Sequence, residues 1–183
     1  MMNKLLLTLV FLIACGPCLF AQVAYSDSLY KAAADSIPEA QYHLGLCYEN
    51  GNGISKNLET ATQWFAKAAR QGHVDAQYKY GFNLFTGKGI TKDKAEAYSW
   101  LSDAANGGNT DAQVCLAYLY KVGDGVPADL IQAYFWASVA AASGDTRAQE
   151  YKQAYGAQLG SVLAAETDAN VEKFLSAKKS QTE

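Results

Sequence analysis

The sequence predicts an all-α chain folded as an α/α superhelical solenoid of helix-turn-helix repeats. Three observations carry this. The dipeptide Ala-Gln recurs at 40–41, 76–77, 112–113 and 148–149, a constant spacing of 36 residues. Laid in that register, the units 40–75, 76–111 and 112–147 are identical in nine of their 36 columns. All three tryptophans, Trp64, Trp100 and Trp136, fall in one column. A fixed period of this size marks a stacked array, because one such unit cannot bury its apolar face alone.

Composition agrees with one such body. Of 183 residues half are hydrophobic and 18% charged, enough for a real core and too apolar for a disordered chain. Fifteen Lys and Arg against 18 Asp and Glu give −3, and the longest basic run is Lys178-Lys179. Nucleic-acid binding rests on neutralising phosphates, so it is not expected. Four Cys and three Pro exclude disulfide-dense and collagen-like classes.

The elements follow in chain order. Residues 1–21 carry one charge, Lys4, then an apolar run from Leu5 to Ala14 broken at Gly16-Pro17. That is the pattern of a secretory signal, and the run is short of the roughly 20 residues of a membrane span. Two cleavage readings stand. One is an ordinary cut after Ala21. The other is a lipobox at Leu12-Ile13-Ala14-Cys15, with signal 1–14 and Cys15 lipidated. The expected location is the periplasm or the exterior, or the outer membrane by a lipid anchor in the second reading. Residues 22–39 form an N-terminal capping helix, with Ala32-Ala33 in the column of Ala68-Ala69.

In each unit the first helix opens near Pro38, a residue suited to the first helical position, and Asn109 and Asp145 are expected N-caps one column earlier. Ala40, Leu44 and Tyr48 line its inner face, and Gly45 and Gly81 permit close approach of a neighbour. A Gly-x-Gly loop follows at 51–53, 87–89 and 123–125. The second helix starts after Asn57, Asp93 or Asp129. Its Ala61, Trp64 and Ala68 have the spacing of a buried stripe, and Gly72, Gly108 and Gly144 end it. In 148–183, Leu159, Val162, Leu163, Val171, Phe174 and Leu175 predict two short capping helices, with a polar tail from Lys178.

Leu44-Gly45, Tyr48, Gly51, Gly53, Ala61, Trp64, Lys67-Ala68-Ala69 and Gly72-His73, with their echoes, resemble the Sel-one-like repeat family, a relative of the tetratricopeptide repeat. The resemblance covers about 28–150. Ala117 replaces the helix glycine in the third copy, and Leu84 the tyrosine in the second, which implies local repacking. Secreted cousins rich in cysteine staple each repeat with a disulfide, and some have been linked to β-lactam binding or hydrolysis. Here Cys47 and Cys115 lie a whole repeat apart, roughly 20 Å for helices packed about 10 Å from one another. A disulfide needs Cα atoms within about 7 Å, so both are expected to be free, buried thiols.

A second stripe on the first helices points about 160° away from Ala40, Leu44 and Tyr48, at about 100° per residue. It holds Tyr42, Leu46 and Glu49, then Tyr78, Phe82 and Phe85, then Val114, Tyr118 and Lys121. In the related folds this face lines a concave groove, and aromatic side chains suit protein contacts. Leu46, Phe82 and Tyr118 are the members best placed to pack between neighbouring first helices, leaving Tyr42, Tyr78 and Phe85 for a partner.

No catalytic set is suggested. Glu39, His43 and Cys47 share one helix face, but three ligands along one helix rarely converge on a metal, and the second copy offers Asp75, Lys79 and Asn83. The Gly-x-Gly loops lack the Gly-Lys-Ser/Thr ending of a phosphate loop. The expected function is an exported, non-enzymatic, monomeric adaptor that takes a protein or peptide segment in the groove, without cofactor or metal. An immunity or inhibitor protein against a toxin is the alternative, and a hydrolase of cell-wall or β-lactam substrates the rival from another class.

Overall fold

A computed structural model describes residues 23–181. The signal segment and the alternative lipidation site Cys15 lie outside the described residues. Nine helices, and no strand, occur among those described: α1 (Asp27–Ala34), α2 (Pro38–Asn50), α3 (Leu58–Arg70), α4 (Val74–Thr86), α5 (Lys94–Asn106), α6 (Thr110–Val122), α7 (Leu130–Ala142), α8 (Thr146–Leu159) and α9 (Ser161–Lys179). The pairs α2–α3, α4–α5 and α6–α7 are the three units. Each second helix also packs on the first helix of the next unit, down to α7 on α8.

Side-chain caps set the helix starts. Asn57, Asp93 and Asp129 accept from backbone N–H groups of the first turns of α3, α5 and α7, and Asn109 and Asp145 do so for α6 and α8. The same column holds His73 in the second unit. Its Nδ1 accepts from the Ala76 N–H at 3.2 Å, a capping role like that of Asn109 and Asp145. In the first unit Ile37 gives no side-chain cap, and Pro38 opens the helix instead.

The recurring glutamine has a structural cause that spacing alone did not show. Gln41 Nε2 donates to the Ala33 carbonyl, Gln77 to Ala69 and Gln113 to Ala105, at 3.1, 3.5 and 3.1 Å. Those carbonyls lie in the last turns of α1, α3 and α5, where each accepts one backbone N–H, from Ser36, Gly72 and Gly108, and keeps a second lone pair for the glutamine. Each first helix is thereby tied to the end of the second helix before it.

Gly45 gives room to Phe65. A Cβ at Gly45 would stand 2.5 Å from the Phe65 ring, and one at Gly81 would stand 3.1 Å from Leu101. In the third copy the same two columns hold Ala117 and Ala137, both fully buried in one cluster. The pairing runs Gly with Phe, Gly with Leu, Ala with Ala. Lost volume on one helix therefore offsets added volume on the other, which accounts for the departure at Ala117.

Two expectations are corrected. Ala61 and Ala68 are buried, but Trp64 and Trp100 are only half-buried, and Trp136 alone reaches the core. Lys67 Nζ lies 3.8 Å from the centre of the Trp64 ring, and Trp100 donates to Glu96, so both indoles have a polar side. Trp136 is covered by α9 through an edge contact with Phe174. The closing helices are not both short: α9 has 19 residues, packs mainly on α7, and runs through Lys178 into the expected tail. Val162 and Leu163, expected inside, are 70% and 42% exposed.

Candidate binding surface on the first helices

The nine stripe residues occupy α2, α4 and α6, but they do not form one exposed row. Glu49 and Val114 are corrections, since both are buried. Val114 packs with Ala140 and Ala148, and Glu49 is held by two lysines. Tyr42 and Leu46 pack against the core around Phe65, and Tyr78 and Phe85 against the core around Leu116. Phe82 meets Tyr78 in a tilted ring pair with centres 5.9 Å apart, and Tyr118 is 47% exposed. Among the aromatic members only Tyr118 is exposed, against the expectation that it packs between first helices, whereas Tyr42, Tyr78, Phe82 and Phe85 are all half-buried.

Polar links join the first helices on either side of this surface. Glu49 accepts from Lys79 Nζ at 2.8 Å and Lys88 Nζ at 2.5 Å. Burial pushes the Glu49 carboxyl up, but those two hydrogen bonds and the lysine charges outweigh it, and its pKa lies below the ordinary value. A carboxylate with a lowered folded pKa adds stability above its unfolded value, near 4.3, and loses it as pH falls through the folded value. Glu49→Gln is expected to cost about 1–2 kcal/mol at pH 7, discounted for the partly exposed lysines. The gap between wild type and variant should close in urea melts below about pH 4. A gap unchanged at low pH would remove the ion pairs as its cause.

At the opposite end of the helices an acid precedes Ala-Gln in every unit, and each bonds the following unit. Glu39 meets His73 at 3.0 Å, Asp75 accepts from Asn109 at 2.7 Å, and Asp111 pairs with Arg147 at 2.7 Å. This ladder was missed, although the column Glu39, Asp75, Asp111 is visible as three acids at the period. Beyond it, α8 adds Tyr151 stacked on Tyr155, with Lys121 Nζ 5.7 Å from the Tyr155 ring.

The set Glu39, His43 and Cys47 is not brought together. Glu39 bridges His43 Nε2 at 2.8 Å and His73 Nε2 at 3.0 Å, while the Cys47 thiol turns to the Val23 carbonyl. A metal on His73 Nε2 would require the ring proton on Nδ1, and that would break the cap at Ala76. Among the described residues no group of three or more His, Cys, Asp or Glu is placed to hold a metal. Cys47 and Cys115 are free, the first buried and the second half-buried. Burial pushes the Cys115 thiol up to about 11 and the Tyr42 phenol to about 12, so neither is a nucleophile near neutrality.

A model described as the Sel1 repeat matches residues 38–73, 74–109 and 110–145. The chain belongs to the Sel1 repeat family. Sel1 repeats generally mediate contacts between proteins. The matched units begin at the first helices, two residues before the Ala-Gln register. A solved Sel1 repeat protein from Oxalobacter formigenes is 38% identical with a TM-score of 0.64, over 68% of this chain and 51% of that one. Another solved relative, c5321, a protective antigen of uropathogenic Escherichia coli with this fold, is 25% identical with a TM-score of 0.63, over 81% and 40%. Among curated proteins, the chitin synthase regulator SKT5 of Saccharomyces cerevisiae is 46% identical over 39 residues, 21% of this chain and 6% of that protein. The DAP3-binding cell death enhancer 1 of Rattus norvegicus is 37% identical over 43 residues, 24% and 8%. The chain thus spans about half or less of the solved relatives and under a tenth of the curated ones.

Proposed function

We propose that this Sel1 repeat protein is an exported, non-enzymatic scaffold that holds a protein or peptide segment on its first-helix surface, with Phe82 and Tyr118 as the main anchors. The observation that carries the reading is the exposed Tyr118, in the same column as the half-buried Phe82 of the preceding first helix. Aromatic side chains at the centre of an interface supply large contact area for little lost entropy. Tyr78, in ring contact with Phe82, packs on the core, so that part of the surface is pre-organised. The charge pattern of residues 1–21 supports export.

The test compares immobilised wild type with a Phe82→Ala/Tyr118→Ala variant of unchanged circular dichroism, each exposed to a cell-envelope fraction. Loss of two anchors is expected to weaken a retained partner by at least about 30-fold, which is 2 kcal/mol. Equal retention of the same proteins by both would place binding elsewhere. The first residue of the mature protein, read by N-terminal sequencing, tests export: Gln22 or a lipidated Cys15 is expected, and an intact Met1 sinks that part.

A further inference from the structure

A cleft of about 520 Å³ opens where the α5–α6 turn meets the ends of α7 and α9. None of the nine stripe residues lines it. Its walls are Val139, Phe174 and Leu175, with Ser143 and Lys178 at its rim and Gln113 against its side. Gln113 is 4% exposed, and its Nε2 is used in the bond to the Ala105 carbonyl. That leaves its Oε1, a buried acceptor with no donor.

The first unit shows how this position is completed. There Gln41 makes the same bond to Ala33, and its Oε1 accepts from the carboxamide of Gln71 at 2.7 Å. The 36-residue register puts Ser143 in the place of Gln71. A serine hydroxyl is two bonds shorter in reach than a glutamine amide, and the exposed Ser143 leaves the buried acceptor without that donor.

We infer that this cleft is a second binding site, which takes an Asn or Gln side chain of a partner polypeptide carrying a neighbouring carboxylate. The carboxamide donates N–H to Gln113 Oε1, as Gln71 does in the first unit. The aliphatic part lies against Val139, Phe174 and Leu175, and the carboxylate meets Lys178. The anchoring donor is read from this chain's own completed copy, and the carboxylate from charge complementarity at the rim. The site is independent of the first-helix surface.

The probes are N-acetyl-L-glutamine and N-acetyl-L-glutamate, which differ only in carrying a donor or a carboxylate at the end of the side chain. In an amide-detected NMR titration near pH 7.5, acetylglutamine is expected to shift the Gln113 side-chain signals and those of Gly107, Gly108 and Ser143. Saturation should fall in the millimolar range, the affinity of one buried donor and one exposed ion pair. Acetylglutamate should leave them in place. Ser143→Gln supplies the carboxamide within the chain, so it should abolish the titration and raise the melting temperature by about 2–4 °C. Phe82→Ala/Tyr118→Ala should keep the titration, which separates failure here from failure of the first-helix surface. Equal shifts with both probes, no shift at about 50 mM, or shifts that survive in Ser143→Gln would overturn the inference.

Discussion

Gly89→Ala is expected to lower the melting temperature by about 6–20 °C, from a loss of about 3–5 kcal/mol. Two causes add. Gly89 has φ of +68°, where a side chain costs about 1–2 kcal/mol. A Cβ there would also stand 2.2 Å from the Leu58 carbonyl oxygen and 2.8 Å from the Glu59 nitrogen, at the first residues of α3. Both atoms are backbone, so the loop must lift. Lifting it would also strain Thr62, whose buried hydroxyl reaches the Leu58 and Lys88 carbonyls and accepts from Asn83. Gly72→Ala isolates the first cause, since Gly72 has φ of +85° and open space around the added carbon. It should lose only about 1–2 kcal/mol. Equal losses in thermal melts of the two variants would show that the seam between loop and helix contributes little.

Phe65→Ala is expected to cost about 3–5 kcal/mol in urea melts, because the ring is fully buried against Gly45 and leaves a cavity. Gly45→Ala alone should cost about 1–3 kcal/mol by overpacking the same contact. The double variant reproduces the alanine pair already present at 117 and 137. Its loss should therefore fall short of the sum of the single losses by at least about 1 kcal/mol. Additive losses would show that the two columns do not trade volume, and would leave Ala117 without an account.

The solenoid was legible because its cause is periodic. Caps at Asn57, Asp93, Asp129, Asn109 and Asp145 act locally, over three residues, and a sequence displays such contacts directly. Failures came where periodicity stops or where one residue has different neighbours in each copy. Trp136 is buried because Phe174 of α9 covers it, whereas Trp64 and Trp100 share its column but lack that cover. The length of α9 was hidden because no repeat frames it. On the candidate surface, helical angle placed the half-buried Tyr42, Tyr78, Phe82 and Phe85 with the exposed Tyr118 but did not resolve depth. Depth is set by what the facing second helix presents, such as Phe65 beneath Tyr42 with ring centres 5.9 Å apart. Glu49 read as a surface acid because its lysines are 30 and 39 residues away.

Two contacts at the seams between units run from the later unit to the earlier one. The later unit's glutamine reaches back to the earlier helix end, and its Gly-x-Gly loop settles on the earlier helix start, as Gly89 does on Leu58. A chain delivered amino end first, from a ribosome or through a translocation pore, therefore meets each docking platform after that platform has formed. Growth of the array is templated by what is already in place, and a unit arriving late has one surface on which it can settle.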